Sequence, residues 1–268
     1  MNKTIGFIGG GNMATAIIGG ILSSKLVAQD SIVVSDRYKD GLEQLHKKYG
    51  VEVTTDNQVV AAKSDILFLC VKPNIYAAVI EEIRNCTREK TLIVSIAPGL
   101  SISYLEELFQ KAVKLIRSMP NTPALVGEGM SALCHNALIE EEELESIKDI
   151  FESFGETEIV SEYLMNTVVG VSGSSPAYIY ILIEAMADAA VADGMPRKQA
   201  YKFAAQSVLG SAKMVMDTGI HPGELKDMVC SPGGATIEAV DVLERTGFRS
   251  SIISAQRACV EKSKQMGK

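Results

Sequence analysis

Ile5-Gly6-Phe7-Ile8-Gly9-Gly10-Gly11-Asn12-Met13-Ala14 is a short apolar run that breaks into glycine and resumes as an apolar helical stretch to Leu22. The pattern is G-x-G-x-x-A between a strand and a helix, the setting that a dinucleotide-binding turn requires. Gly9 permits the tight turn, Gly11 lets backbone approach a pyrophosphate, and Ala14 allows close packing of helix on strand. A glycine turn in some other α/β protein is the competing reading. Position at the first strand of the chain favours the nucleotide site.

Outward from this turn, residues 32–34 form a second apolar strand that ends in Ser35-Asp36-Arg37. An acid here would bind the adenosine ribose 2′-hydroxyl of NAD, whereas Arg37 with Ser35 suits the 2′-phosphate of NADP. The chain carries both, so the residues leave the cofactor open. Strand and helix patterns then alternate through 51–53, 57–62, 65–71, 75–84, 92–95 and 103–110. Strands that are apolar throughout belong to a parallel sheet covered on both faces, and ligands of such sheets sit at the carboxyl ends of the strands. Those ends carry Val71-Lys72-Pro73, Ala97-Pro98-Gly99 and the loop Arg117-Ser118-Met119-Pro120-Asn121-Thr122-Pro123. Residues 129–134 and 157–160 read as the last strands, separated by an amphipathic helix whose apolar face is Leu144, Ile147, Ile150, Phe151 and Phe154. Beyond Ser161 the pattern is helical: 162–171, 177–192, 197–217, 222–228, 234–245 and 249–264. The expected fold is an α/β Rossmann-like dinucleotide-binding domain over 1–161, with a mostly parallel doubly wound sheet, followed by an all-α domain over 162–268.

A net charge of −7 with no basic block argues against nucleic acid and acidic membrane surfaces as partners. Cys70, Cys86, Cys134, Cys230 and Cys259 are spread without a C-x-x-C pair, as expected of reduced thiols in a cytoplasmic protein. The N-terminus runs into the first strand and leaves no room for a signal peptide. Residues 177–192 are apolar apart from Glu184 and Asp188, shorter than a bilayer span, and read as a helix buried in a core or a subunit interface. His46, His135 and His221 have no ligand spacing, and each is expected at the surface or at a helix start, so no metal site is expected. Glu184 and Asp188 lie four apart on one helix face, where pairing with a neighbouring subunit or capping another helix is favoured over acid–base work.

Ser231-Pro232-Gly233-Gly234-Ala235-Thr236 precedes an apolar-periodic stretch, and it reads as a helix start. Ser231 is expected to cap, with Pro232 at the first helical position. The glycines leave the next amides uncovered, so a small carboxylate could approach them, with the Thr236 hydroxyl at the same end. An ordinary capped helix is the alternative. Hydroxyacid dehydrogenases of the 6-phosphogluconate type also join a nucleotide domain to a helical one, and use a lysine after a G-x-x-G turn. Gly170 and Gly173 offer that turn, yet no Lys or Arg stands between Asp149 and Pro196. The catalytic lysine of that class is absent where it should stand.

The chain resembles the pyrroline-5-carboxylate reductase family, whose members perform the last step of proline synthesis, over essentially its whole length. The resemblance rests on residues 5–13, Val71-Lys72-Pro73, Met119-Pro120-Asn121-Thr122-Pro123 and Ser172-Gly173-Ser174-Ser175-Pro176-Ala177-Tyr178. Most specific is His221-Pro222, Leu225-Lys226-Asp227 and the 231–236 turn, continuing to Gly247-Phe248-Arg249. It implies NAD(P)H-dependent reduction of the C=N bond of 1-pyrroline-5-carboxylate to L-proline, with NADP(H) preferred and NAD(H) the alternative. Ile8, Gly9, Gly11, Asn12 and Met13 would line the pyrophosphate, and Ser35 and Arg37 the adenosine 2′ position. Asn57 would meet the ribose, and Val71, Lys72, Pro73, Ala97 and Gly99 the remaining cofactor. Substrate would meet Ser231, Gly233, Gly234, Ala235 and Thr236, with Glu162 close and Thr236 the catalytic contact to the ring nitrogen. The helical domain would form a homodimer, assembled further into a decamer, with the site shared between subunits.

Two positions depart from the family pattern: Ser175 stands where glycine is usual, and Asn166-Thr167 where Asp-Ala is usual. Both put local helix geometry in question rather than activity. A related imine or 3-hydroxyacid reductase, and a nucleotide sensor without turnover, are the other readings.

Overall fold

Apolar strands separated by amphipathic helices can bury both faces of a sheet only by placing helices on each side. The computed structural model, which describes residues 1–266, has that arrangement in its first unit. Among the described residues the strands are β1 (Ile5–Ile8), β2 (Ile32–Ser35), β3 (Glu52–Thr54), β4 (Ile66–Leu69), β5 (Leu92–Ser95), β6 (Lys114–Met119), β7 (Gly129–His135) and β8 (Gly155–Ile159). They form one sheet in the order β3-β2-β1-β4-β5-β6-β7-β8. The order reverses between β1 and β4, beside the glycine turn, which is where such sheets open a ligand crevice. Pairing is parallel from β3 through β6, antiparallel at β6–β7 and parallel again at β7–β8. A 3-10 helix, Thr122–Val126, is too short to carry the chain back for another parallel strand, so β7 returns beside β6.

The helices of this unit are α1 (Asn12–Ser23), α2 (Lys39–Tyr49), α3 (Asn57–Lys63), α4 (Tyr76–Ile83), α5 (Ile102–Phe109), α6 (Glu141–Glu152) and the short α7 (Met165–Val168). Period-two alternation divides each strand between two cores. Ile5, Phe7, Ile66 and Phe68 join α1, α2 and α6 on one face, while Ile8, Leu67 and Leu69 join α3, α4 and α5 on the other. Phe7 stacks on Phe68 at 4.9 Å, and Phe68 lies 6.1 Å from Phe151 of α6.

Two expectations need correction. Arg117, Ser118 and Met119 are not loop: β6 runs on to Met119 because Arg117 and Ser118 pair with Cys134 and Leu133 of β7. Nor is 162–171 one regular helix. It is a 3-10 turn Glu162–Leu164, then α7, then a π-helical segment Val169–Gly173.

By internal packing, residues 1–174 with 259–266 form one compact unit and Ser175–Ala258 the other. Met165 belongs to the first unit's core, and Ser263 donates to Asn166 Oδ1 at 2.8 Å, which holds 162–174 there. Residues 267 and 268 of the expected second domain lie outside the described residues. Ser175 is the first residue of α8 (Ser175–Ala192), with Pro176 in the first turn, and has no positive φ, so serine replaces glycine without strain.

The second unit is helical: α8, α9 (Arg197–Thr218), α10 (Pro222–Met228), α11 (Ala235–Arg245) and most of α12 (Phe248–Met266). Within the chain α8 buries only Ala187, while Ile181, Phe203 and Met216 of α8 and α9 are 66%, 66% and 71% exposed. An apolar surface of this extent marks a contact with another protein surface, so of the two expectations for 177–192 the interface stands and the core does not. By length and composition alone, Glu162–Ala192 is also long and apolar enough to cross a membrane.

Phe68→Ala should destabilise the first unit by about 3–5 kcal/mol, because it removes a fully buried ring stacked on Phe7 and tilted against Phe151. Urea unfolding followed by circular dichroism reads this loss directly.

Candidate active site

β1 delivers Ile8, 1% exposed, to the rim of the sheet, and the chain turns at Gly9. Gly9 has φ +101°, and a Cβ there would stand 2.7 Å from the Cys70 carbonyl oxygen, so only glycine fits. Its amide donates to the Ser35 carbonyl at 2.8 Å, and the Cys70 amide donates to the Ile8 carbonyl at 2.8 Å. Gly11 is the N-cap of α1 and offers no side-chain cap, and a Cβ there would meet nothing within 4 Å. The first amides of a twelve-residue helix therefore face open space, with exposed Asn12 beside them. Met13 packs against the core and Ala14 is fully buried, which seats α1 close on the sheet. This cradle fits the pyrophosphate of a dinucleotide, since uncapped amides and the helix dipole both favour an anion.

At the end of β2 the Ser35 hydroxyl is fully buried and donates to Asn57 Oδ1 at 2.8 Å. Asn57 Nδ2 donates in turn to Glu82 at 2.8 Å. Ser35 thus acts through Asn57 rather than as an open hydroxyl. Arg37 is exposed, with its guanidinium 4.7 Å from the Tyr38 ring centre and Nη2 donating to the Tyr38 hydroxyl at 2.7 Å. Asp36 accepts from the Gly10 amide at 2.8 Å.

The ends of β4 and β5 bring Val71, exposed Lys72 and Pro73 alongside Ala97 and Gly99, the last at φ +80°. Tyr76 donates to the Leu69 carbonyl, Ser95 to the Tyr76 hydroxyl and Ser118 to the Ser95 carbonyl, so the two strand ends are cross-tied. A cavity of about 590 Å³ opens there, lined by Lys72, Pro73, Asn74, Leu100, Tyr104 and Met266. Burial pushes the Cys134 thiol up to about 11 and raises Cys70 further, so both stay protonated near neutral pH. Asn121 bridges the loop after β6: it accepts from the Met130 amide at 2.9 Å and donates to the Ser172 carbonyl of the π-segment at 3.1 Å.

Glu162 departs from the expected grouping. It lies in the first unit, where Oε1 accepts from the Ile102 amide at 2.7 Å and from Arg117 Nη1 at 3.0 Å. It thereby satisfies the first amide of α5 and neutralises a guanidinium that is 5% exposed. Neither role was legible once Arg117 was read as loop. A cation inside a buried strand always demands an acid, and that was the available signal.

The second unit holds the 231–236 turn, and here the expected cap is wrong. Helix α11 starts at Ala235 with Gly234 as N-cap, and Ser231 does not cap it. Gly233 has φ +67° and the Gly234 amide donates to the Ser231 carbonyl at 3.0 Å, a type II turn with Pro232 and Gly233 at its centre. Pro-Gly chemistry wins over a Ser-Pro helix start because a glycine at positive φ interrupts the helix. The consequence for the site is favourable: α11 begins with no side-chain cap, and Ala235 and Thr236 are exposed. His221 is the N-cap of α10, its Nδ1 accepting from the Gly223 amide at 3.1 Å. Nδ1 of His46 and of His135 donates to a backbone carbonyl, each at 2.9 Å. Asp188 pairs with Arg197 of the same chain, across the α8–α9 hairpin, rather than with a neighbouring subunit. The structure therefore brings the expected cofactor residues together in one unit and the expected substrate turn in the other.

A Rossmann unit with an anion cradle at its first glycine turn, joined to a helical unit with a wide apolar surface, defines a dinucleotide-dependent oxidoreductase that assembles with itself. Residues 162–266 match the family described as pyrroline-5-carboxylate reductase dimerisation, and residues 4–99 match NADP oxidoreductase coenzyme F420-dependent. The chain is 52% identical to pyrroline-5-carboxylate reductase of Escherichia coli (strain K12), covering all of both chains. It is 43% identical to the enzyme of that name from Methanosarcina acetivorans, over 100% of this chain and 99% of the relative. A crystal structure of Plasmodium falciparum pyrroline carboxylate reductase with NADP bound superposes with a TM-score of 0.92 at 32% identity, over 100% of this chain and 99% of that one. The chain belongs to the pyrroline-5-carboxylate reductase family.

Glu162→Ala should destabilise the first unit by roughly 3 kcal/mol, since it leaves the buried Arg117 uncompensated. Thermal melting of the variant checks this. An unchanged melting temperature would return Glu162 to a purely ligand-binding role.

Proposed function

We propose that this chain reduces the C=N bond of 1-pyrroline-5-carboxylate to give L-proline, with NADPH as the preferred donor and NADH as the alternative. The observation that carries the reading is the turn at 231–234, which starts α11 without a side-chain cap and leaves Thr236 exposed beside open amides. The NADP-bound Plasmodium relative and the full-length identity to named reductases support the choice of cofactor and substrate.

Ile8, Gly9, Gly11, Asn12 and Met13 hold the pyrophosphate; Ser35, Arg37 and Asn57 serve the adenosine ribose. Val71, Lys72, Pro73, Ala97 and Gly99 hold the nicotinamide half. When bound, the reduced nicotinamide supplies the hydride. Ser231, Gly233, Gly234 and Ala235 present backbone to the substrate carboxylate, which an uncapped helix start attracts by about 0.3–1 kcal/mol when exposed. Thr236 hydrogen-bonds the ring nitrogen and so sets which face of the ring is offered. Glu162 supports the site through Arg117 and α5.

Substrate that enters as the protonated iminium already carries its proton, so hydride addition completes the reduction without a strong general acid. The rate then comes from positioning. The 162–268 domain forms a homodimer and, in this reading, a decamer, with the turn of one chain completing the cofactor cleft of another. The enzyme is placed in the cytoplasm, without nucleic-acid or membrane partners.

Thr236→Val should lower kcat/KM for pyrroline-5-carboxylate at least ~10-fold, as loss of one hydrogen bond to a charged group implies. Steady-state kinetics under NADPH saturation reads the effect. Unchanged kinetics would remove Thr236 from the reaction.

A further inference from the structure

Strands β4 and β5 are parallel neighbours, in register from Ile66 beside Leu92 to Leu69 beside Ser95. Beyond that last pair they separate. The end of β4 stays on β1, where the Cys70 amide donates to the Ile8 carbonyl at 2.8 Å. On the other side the Ile96 amide reaches the Leu69 carbonyl only at 3.4 Å, longer than an ordinary ladder bond. The two loops that diverge from this point carry Val71-Lys72-Pro73 and Ala97-Pro98-Gly99.

One side chain fills the split. Tyr76 is the first residue of α4, four residues after Lys72, and it is fully buried. Its hydroxyl donates to the Leu69 carbonyl and accepts from Ser95 Oγ at 3.2 Å. Ser95 Oγ in turn accepts from the Ala97 amide at 3.4 Å, and the Ser95 carbonyl accepts from Ser118 Oγ at 3.0 Å. Burial pushes the phenol above its ordinary range, so it keeps its proton near neutral pH and the bond to Leu69 persists. A phenylalanine ring would pack the same space without a polar atom to desolvate. What tyrosine adds is a strut: from the carbonyl that ends β4, through the phenol and Ser95, to the amide that opens the 97–99 loop. A ligand gripped from both loops depends on a gap held to a fraction of an ångström by the groups behind them.

We propose that Tyr76 is a positioning residue for the nicotinamide half of the cofactor: acting through Leu69 and Ser95, its hydroxyl sets the gap between the 71–73 and 97–99 loops. The inference rests on the nucleotide-binding part of the proposed function and not on its imine substrate.

The test is calorimetric titration of the whole chain with NADPH and with adenosine 2′,5′-bisphosphate, the adenosine end of NADPH without its nicotinamide, for the native protein and Tyr76→Phe. Phenylalanine keeps the packing and removes the strut. The dissociation constant for NADPH should rise at least ~5-fold relative to that for the bisphosphate, as loss of a buried hydrogen bond felt only by the nicotinamide half implies. A smaller change in the ratio would overturn the proposal, whether both probes weaken alike, as general loosening of the unit requires, or neither does. If Tyr76→Phe does not fold, Ser95→Ala, which cuts the strut at its other end, carries the same expectation. Failure of both to fold would make the pair scaffold and overturn the proposal too. Native protein that binds neither probe would sink the nucleotide reading and the role of Tyr76 with it. Absence of pyrroline-5-carboxylate turnover with binding intact would sink the reductase reading alone and leave these affinities to judge Tyr76.

Discussion

The close approach of Gly9 to the Cys70 carbonyl is the constraint on which the nucleotide-binding unit depends. β1 and β4 are adjacent strands, and the chain leaving β1 must turn across the end of β4 with no room for a side chain. Glycine at positive φ is the one solution. From that turn follow the uncapped start of α1, the seat of Ala14 on the sheet, and the position of Gly10 under Asp36. Both cores are then fixed by strand alternation on the two sides of the same sheet.

A second constraint links the sheet to the helical segment. Arg117 sits in β6 between two layers of apolar packing, and its charge is tolerable only with Glu162 beside it. The same carboxylate satisfies the first amide of α5, and Asn121 ties the next loop to the π-segment. Residues 162–174 are thereby part of the nucleotide-binding unit in packing, although they fall inside the dimerisation family by sequence. The helical unit has the opposite character. Its small buried set and large exposed apolar side chains suit a surface completed by a second copy, in line with the dimerisation family it matches.

Much of this was legible in the sequence because it is local. The glycine turn, the apolar strands and helix 222–228 with His221 at its start all depend on neighbours a few residues away. The misread features depend on distant partners or on competition between two local signals. Arg117 looked like loop because its pairing lies across the sheet, on β7 and on Glu162 forty-five residues on. Ser231-Pro232 resembled a helix start, and only the φ of Gly233 decides for a turn. Ser35 keeps its proposed place at the cofactor, but the bond from its hydroxyl to Asn57, 22 residues on, is not visible in the sequence. The cofactor set was thus visible as a list of positions, while the hydrogen bonds that decide what each can still do were not.

The proposed reaction is reduction of a cyclic imine, with the cofactor cradle at the end of β1 and the substrate turn at the start of α11 as its proposed parts. The most direct measurement is oxidation of NADPH and of NADH, in parallel, by the purified full chain with pyrroline-5-carboxylate as substrate. Turnover with both, and a higher kcat/KM with NADPH, is the expected result. Folded protein that binds nucleotide yet oxidises neither would contradict it.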